Sequence, residues 1–238
     1  MNKKKCPYLE IVTMTYCGAY PIKKLVPLEV TRGSSPCLKE NYEGCALYKG
    51  SLHDTLMEDI RGFQLEKDLY YHGGHMWLRP EGENIRLGVD DFSRRLLSPI
   101  TGVNLPLIGT MLKEGENTFT LRCGHRLADL PSPLDGEVVD VHDGLHTNPV
   151  PLNKDPYGDG WMLLVHPSGD NPLKETLSGE FARRWLEDDI ERLHRILEAE
   201  LGVVVTDGGE PLAGLSNRLE EVHWNRLIRL FFVKKREE

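Results

Sequence analysis

Phe119-Thr120-Leu121-Arg122-Cys123 decides how this chain folds. Its apolar residues fall at every second position, the period of a strand with one buried face and one wet face. Ile85, Leu87 and Val89 repeat the pattern upstream, and Val103, Leu105 and Leu107 show it again. Turn formers separate such runs: Pro80-Glu81-Gly82, Glu114-Gly115-Glu116-Asn117, Ser132-Pro133-Leu134-Asp135-Gly136 and Asp155-Pro156-Tyr157-Gly158. Short strands punctuated by Gly and Pro predict a β sandwich or barrel.

The chain around this region has 238 residues, enough for one sizeable core or two modest domains. Its hydrophobic fraction of 39% and charged fraction of 28% are those of an ordinary globular protein. The net charge of −8 and the lack of a basic stripe give no electrostatic footprint for nucleic acid. Asn2-Lys3-Lys4-Lys5 is basic, but Glu10 and Lys23-Lys24 keep any apolar run after it short of signal-peptide length. Nothing approaches a membrane span. The expectation is a cytoplasmic protein that binds neither nucleic acid nor membrane.

Several motifs succeed one another from about His75 to Ser168. They are His75-Met76-Trp77, Ile85-Arg86-Leu87-Gly88-Val89-Asp90-Asp91-Phe92, Leu105-Pro106-Leu107-Ile108-Gly109-Thr110, and Asn153-Lys154-Asp155-Pro156-Tyr157-Gly158-Asp159-Gly160-Trp161. In this order and spacing they resemble the H-protein of the glycine cleavage system, with H-E-W, L-P-x-x-G-T and N-x-D-P-Y-G-x-G-W as its patterns. Methionine stands where the first pattern has glutamate. The resemblance covers about two fifths of the chain and neither end. It implies a lipoyl-domain-like barrel-sandwich hybrid of antiparallel strands, mainly β with flanking α, and a hairpin whose tip lysine carries lipoate. Counted without a gap between Lys113-Glu114-Gly115-Glu116 and Gly136-Glu137-Val138-Val139, that lysine's position is His125. An imidazole forms no stable amide, since acyl-imidazoles hydrolyse, so lipoate is not expected. Lys113 and Lys154 fall in other turns.

Beside His125, Arg122 and Arg126 stand where the resemblance implies an acidic, lysine-bearing hairpin surface. Such a basic tip suits an acidic partner, although solvated charge is the commoner role of surface arginines. Cys123 has two readings. Two arginines and a histidine would activate an exposed thiol. Strand alternation instead places Cys123 on the inward face of Phe119 and Leu121, and this reading is favoured.

The remaining cysteines, Cys6, Cys17, Cys37 and Cys45, share the first 45 residues with spacing C-x10-C-x19-C-x7-C. Clustered thiols in a reducing compartment point to metal or redox chemistry. Four thiolates can close a zinc site or hold an iron–sulfur cluster, and a segment with little core of its own gains stability from either. Buried free thiols and disulfides stay open as alternatives, because no C-x-x-C pair is present. His72 with His75, and His142 with His146, are spaced as metal-ligand pairs, but neither pair supplies a third ligand.

At the ends the period changes to that of helices. Leu52, Leu56, Met57 and Ile60 behind Ser51 predict a connecting helix. Phe181, Trp185, Leu186, Ile190, Leu193, Leu197 and Leu201 predict a long amphipathic helix from Ser178 to a stop at Gly202. Val203-Val204-Val205 reads as a short strand. A last helix from near Ser216 carries Leu219, Val222, Trp224, Leu227, Ile228, Leu230 and Phe231. The predicted organisation is a cysteine-containing segment over 1–50, a connecting helix over 51–69, the β domain over 70–170 and a helical extension over 171–238.

Three functions compete. The first is a non-enzymatic binding or scaffold module with a four-cysteine metal site and protein partners. The second is a working lipoyl and aminomethyl carrier of glycine cleavage, and the third is an iron–sulfur electron-transfer protein. Position 125 speaks against the second, so the first is preferred.

Overall fold

The computed structural model describes residues 15–17, 24–26, 56–201 and 215–233. The chain divides into two units, Met1–Leu56 and Met57–Glu238. In the first, β1 (Thr15–Cys17) pairs antiparallel with β2 (Lys24–Val26), and Cys17 lies opposite Lys24. Cys6, Cys37 and Cys45 lie outside the described residues, as does Val203-Val204-Val205.

The second unit opens with β3 (Met57–Ile60) and β4 (Phe63–Glu66), an antiparallel hairpin. This corrects the connecting helix expected over 51–69 from Met57 onward; residues 51–55 lie outside the described residues. Arg61 and Gly62 both take positive φ, 52° and 89°, closing a two-residue turn whose twist matches that of paired strands. Ile60, Phe63 and Leu65 are then buried by the strand pairing, although Met57 and Ile60 fit a helical stripe equally well.

Next come β5 (Tyr70–His72), β6 (Met76–Glu81) and β7 (Asn84–Val89), then α1 (Asp91–Leu96) and β8 (Ile100–Asn104). β9 (Met111–Leu112), β10 (Asn117–Cys123), β11 (Arg126–Pro131) and β12 (Gly136–Val141) succeed them. Two short helices, α2 (Gly144–Thr147) and α3 (Val150–Lys154), lead to β13 (Leu163–Pro167) and β14 (Thr176–Leu177). Three helices complete the unit, α4 (Gly179–Leu201), α5 (Leu215–Arg218) and α6 (Glu221–Phe231).

The strands form a seven-stranded sheet, ordered β14-β5-β6-β7-β13-β12-β9, and a three-stranded sheet, ordered β11-β10-β8. Neighbouring strands run antiparallel, and the inward faces of both sheets share one core with the helices. The fold is thus mainly β, a barrel-sandwich with flanking helices. Alternation produced the core as read: Ile85, Leu87, Val89, Phe119, Leu121 and Cys123 are all buried. It overran in one place. β8 stops at Asn104, and Leu107 is 79% exposed in the loop before β9, because Pro106 has no N–H for a ladder.

The C-terminal helices bury narrower stripes than the sequence reading assigned them. In α4 the stripe is Ala182, Leu186, Ile190, Leu193 and Leu197, while Phe181, one residue off it, is 73% exposed. In α6 it is Trp224, Leu227 and Phe231, leaving Val222 66% exposed. Trp161, which ends the last motif, is half-buried. It stacks on His142 at 4.8 Å with the Arg86 guanidinium 4.4 Å from its ring. The fully buried tryptophans are Trp77, whose indole N–H donates to the Pro156 carbonyl at 2.9 Å, and Trp224. Among the described residues no helix is long and apolar enough to cross a membrane.

Candidate functional site

β10 and β11 are joined by Gly124 and His125, with Cys123 opposite Arg126 as the last pair. Gly124 has φ +63, the only positive φ in the turn. Glycine first in a two-residue loop is the requirement of a II′ hairpin. His125 therefore stands at a β-hairpin tip, exposed to solvent.

Below the tip the two faces separate cleanly. Cys123 is buried beneath it and donates its thiol to the Leu121 carbonyl at 3.7 Å. Burial pushes its pKa up to about 12, so the thiol stays protonated at neutral pH. Arg122 and His125, the groups that would activate it, lie on the exposed side. Cys123 is a core residue.

The tip carries an unexpected neighbour. His125 Nδ1 lies 2.9 Å from the amide oxygen of Asn217 in α5, a hydrogen bond in which the imidazole donates. Arg126 Nη2 donates to the Leu219 carbonyl, and its guanidinium sits 5.8 Å from the Trp224 ring centre. Trp224 in turn donates its indole N–H to the Leu127 carbonyl at 3.3 Å. A cleft of about 420 Å³ remains beside these contacts, lined by His125, Arg126, Leu127, Glu221, Trp224 and Asn225. Asn217 lies 92 positions from His125, and no local pattern in the sequence pairs them. Of the expected hairpin surface, Arg122 is exposed, whereas Arg126 is drawn under the C-terminal helices.

A second constellation was missed entirely. His75 closes the three-residue turn between β5 and β6 with φ +56, a left-handed conformation unusual for histidine. It is held there by carboxylates on both sides. Nδ1 meets Asp90 Oδ2 at 2.8 Å, and Nε2 faces Asp189 Oδ2 at 3.5 Å, an ion-pair distance longer than a good hydrogen bond. The ring stacks on Phe92 at 3.9 Å and lies near Trp185, Phe231 and Phe232. Asp90 also caps α1, accepting from the Ser93 N–H at 2.8 Å. Burial alone would pull the His75 pKa down. The charge of Asp90, with that of Asp189, outweighs it and leaves the pKa raised. The buried imidazole joins β5, β6, α1, α4 and α6, a structural role for the histidine of the first motif.

No metal site emerges among the described residues: no group of three or more His, Cys, Asp or Glu side chains there could hold an ion. His72 and His75 form no ligand pair, since His72 Nδ1 accepts from the Gly74 N–H at 3.1 Å and His75 is enclosed by its aspartates. His142 Nδ1 is paired with the Trp161 carbonyl at 3.0 Å. The four N-terminal cysteines are not placed side chain by side chain, because three of them fall outside the described residues.

The family model described as "Glycine cleavage H-protein" matches residues 69–189. The chain is similar to the glycine cleavage system H protein of Rubrobacter xylanophilus, 35% identical over 126 residues, which are 53% of this chain and 98% of that protein. It is 33% identical to the Bacteroides thetaiotaomicron H protein over 114 residues, 48% of this chain and 90% of the relative. A crystal structure of the Mycobacterium marinum H protein matches with a TM-score of 0.47 at 24% identity, covering 52% of this chain and 98% of that one.

Proposed function

Because this chain belongs to the glycine cleavage H-protein family and carries an imidazole where the motifs put the lipoyl lysine, we propose that it is a non-catalytic binding module without lipoate. The observation that carries this reading is His125 at the tip of the β10–β11 hairpin. The lipoyl group does not fit the residues present. Its attachment needs an ε-amine, and the tip offers a ring nitrogen already bonded to Asn217. Lys113 comes directly after β9 and Lys154 ends α3, so neither lies on this hairpin. The domain then serves through its surfaces, as a scaffold for protein partners. The proposed metal ligands remain Cys6, Cys17, Cys37 and Cys45, with zinc or an iron–sulfur cluster as the group bound.

The test is intact-mass measurement after coexpression with a lipoate ligase and lipoate. The proposal expects no lipoyl addition. Lipoate on any lysine would restore the second reading, an aminomethyl carrier of glycine cleavage, which the family match over residues 69–189 favours.

A further inference from the structure

We propose that α5 and α6 form a built-in cap that closes the hairpin end of the β domain to protein-sized partners. Four consecutive residues of the hairpin meet it. A Cβ on Gly124 would lie 2.6 Å from Asn217 Oδ1, so the cap sits against the turn itself. His125 bonds Asn217, Arg126 bonds the Leu219 carbonyl, and the Leu127 carbonyl accepts from Trp224. The polar contacts are thus spread over α5, α6 and the link between them.

The cap is held at its far end as well, independently of the hairpin. Leu227, Phe231 and Phe232 are buried in the shared core. Phe231 packs on Phe92 with ring centres 5.1 Å apart, and Phe232 lies 6.0 Å from the His75 ring. Arg192 of α4 lies 5.4 Å from the Phe231 ring centre. An 11-residue helix rises about 16 Å, which lets α6 run from the hairpin tip to the His75 turn as a strut fastened at both ends. The family model ends at residue 189, so the cap is an addition to the matched domain.

Its effect is steric. A small solute reaches the exposed His125 edge through the adjoining cleft. A partner that must grip both strands of the hairpin meets α5 and the start of α6 instead. Restoring an amine at position 125 does not remove that obstacle, because Asn217 accepts from an ammonium as well as from an imidazole. The cap goes beyond the proposed function and stands without it.

The experiment places a thiol probe at the tip with His125→Cys in the full chain. A control thiol goes on the open loop with Ile108→Cys, where the native side chain is 63% exposed. Each is labelled with N-ethylmaleimide and with a polymer-tethered maleimide, and rates are read by peptide-mapped mass spectrometry to separate them from the five native cysteines. The expected result is a polymer-to-small rate ratio at position 125 at least about tenfold below that at 108, since bulky labelling must wait for local opening. The ratio should rise when the pins are cut by Asn217→Ala, Arg126→Ala and Trp224→Phe together, substitutions that leave the aromatic body of the cap in the core. Equal ratios at the two sites in the full chain overturn the proposal. So does a low ratio that unpinning leaves unchanged in a folded variant, because the hairpin itself would then be the obstacle. Lipoate plays no part in the readout, so discovery of a lipoyl group elsewhere would defeat the functional reading and leave the cap in place.

Discussion

His75→Asn isolates the buried cation, because asparagine tolerates the left-handed backbone that position 75 adopts at φ +56. The substitution removes the charge that meets Asp90 at 2.8 Å and Asp189 at 3.5 Å, together with the ring stacked on Phe92. Breaking a buried ion pair from one side costs about 3–5 kcal/mol, and the new amide can satisfy Asp90 in part, so the lower end applies. The pH dependence gives the sharper test. The histidine pKa is raised above its ordinary 6.5 in the folded protein, so between those two values the native state holds a proton that the unfolded chain has released. Stability from this site is therefore complete below pH 6.5 and lost as pH rises through the folded pKa. Across that window the gap between parent and variant should narrow by about 1.4 kcal/mol per pH unit. The charged and titratable groups around the site are Asp90 before α1, Asp189 and Arg192 on α4, and Tyr71 on β5, all unchanged in the variant. Urea unfolding monitored by tryptophan fluorescence measures it, since Trp77, Trp161, Trp185 and Trp224 all belong to the second unit. Parallel stability profiles from about pH 6 upward, roughly the range in which histidine titrates, would refute the buried cation.

The same structure makes three further outcomes testable. His125→Lys should accept lipoate poorly from a ligase, because Arg122 replaces an acidic neighbour and Asn217 and Leu219 hold the tip; modification at the rate of an ordinary H-protein would contradict this. Trp224→Ala should cost about 3–5 kcal/mol, while Trp161→Ala, half-buried, should cost well under that; equal losses in thermal or urea unfolding would mean the two burials are misjudged. Protein purified without oxygen should hold metal through Cys6, Cys17, Cys37 and Cys45, brown if a cluster and colourless if zinc; absence of metal from the intact chain, with chelators leaving its first unit unaffected, would remove that site.

The sequence carried the β domain well because strand burial has period two and its turns announce themselves through Gly and Pro. Ile85, Leu87, Val89, Phe119, Leu121 and Cys123 needed no tertiary information to be assigned inward. The β3–β4 hairpin was lost because four residues per strand are too few to separate a period of two from one of 3.6. Only the Arg61-Gly62 turn breaks the tie. Helix existence was readable, but stripe width was not: Phe181 and Val222 are apolar and sit just outside the buried stripes. The tip residue was identified from motif spacing, whereas its partner was hidden. Nothing near Asn217 says that its amide meets a histidine 92 positions away. The same holds for His75, whose two aspartates come from α1's cap and the middle of α4.

Two departures from a carrier's hairpin meet at the same four residues and act through different physics. Under the proposed function, histidine at position 125 leaves the tip without a nucleophilic amine, a chemical block that one substitution reverses. The cap removes the free surface, a steric block set by Asn217, Leu219 and Trp224 and braced from the far end by Phe231 and Phe232. Either one alone leaves the other half of a carrier intact. An uncapped histidine hairpin still presents a free strand pair, and a capped lysine still keeps its amine. Their coincidence makes a binding surface elsewhere on the domain the stronger expectation. In the loop before β9, Leu107, Ile108 and Met111 are exposed apolar side chains on the short edge strand and its approach. Exposed apolar groups clustered at a sheet edge are costly to leave in water unless something covers them. Ile108→Glu should therefore leave stability within about 0.5 kcal/mol, as surface changes do. A large loss of stability instead would show that the loop packs inward, and would remove it as a surface.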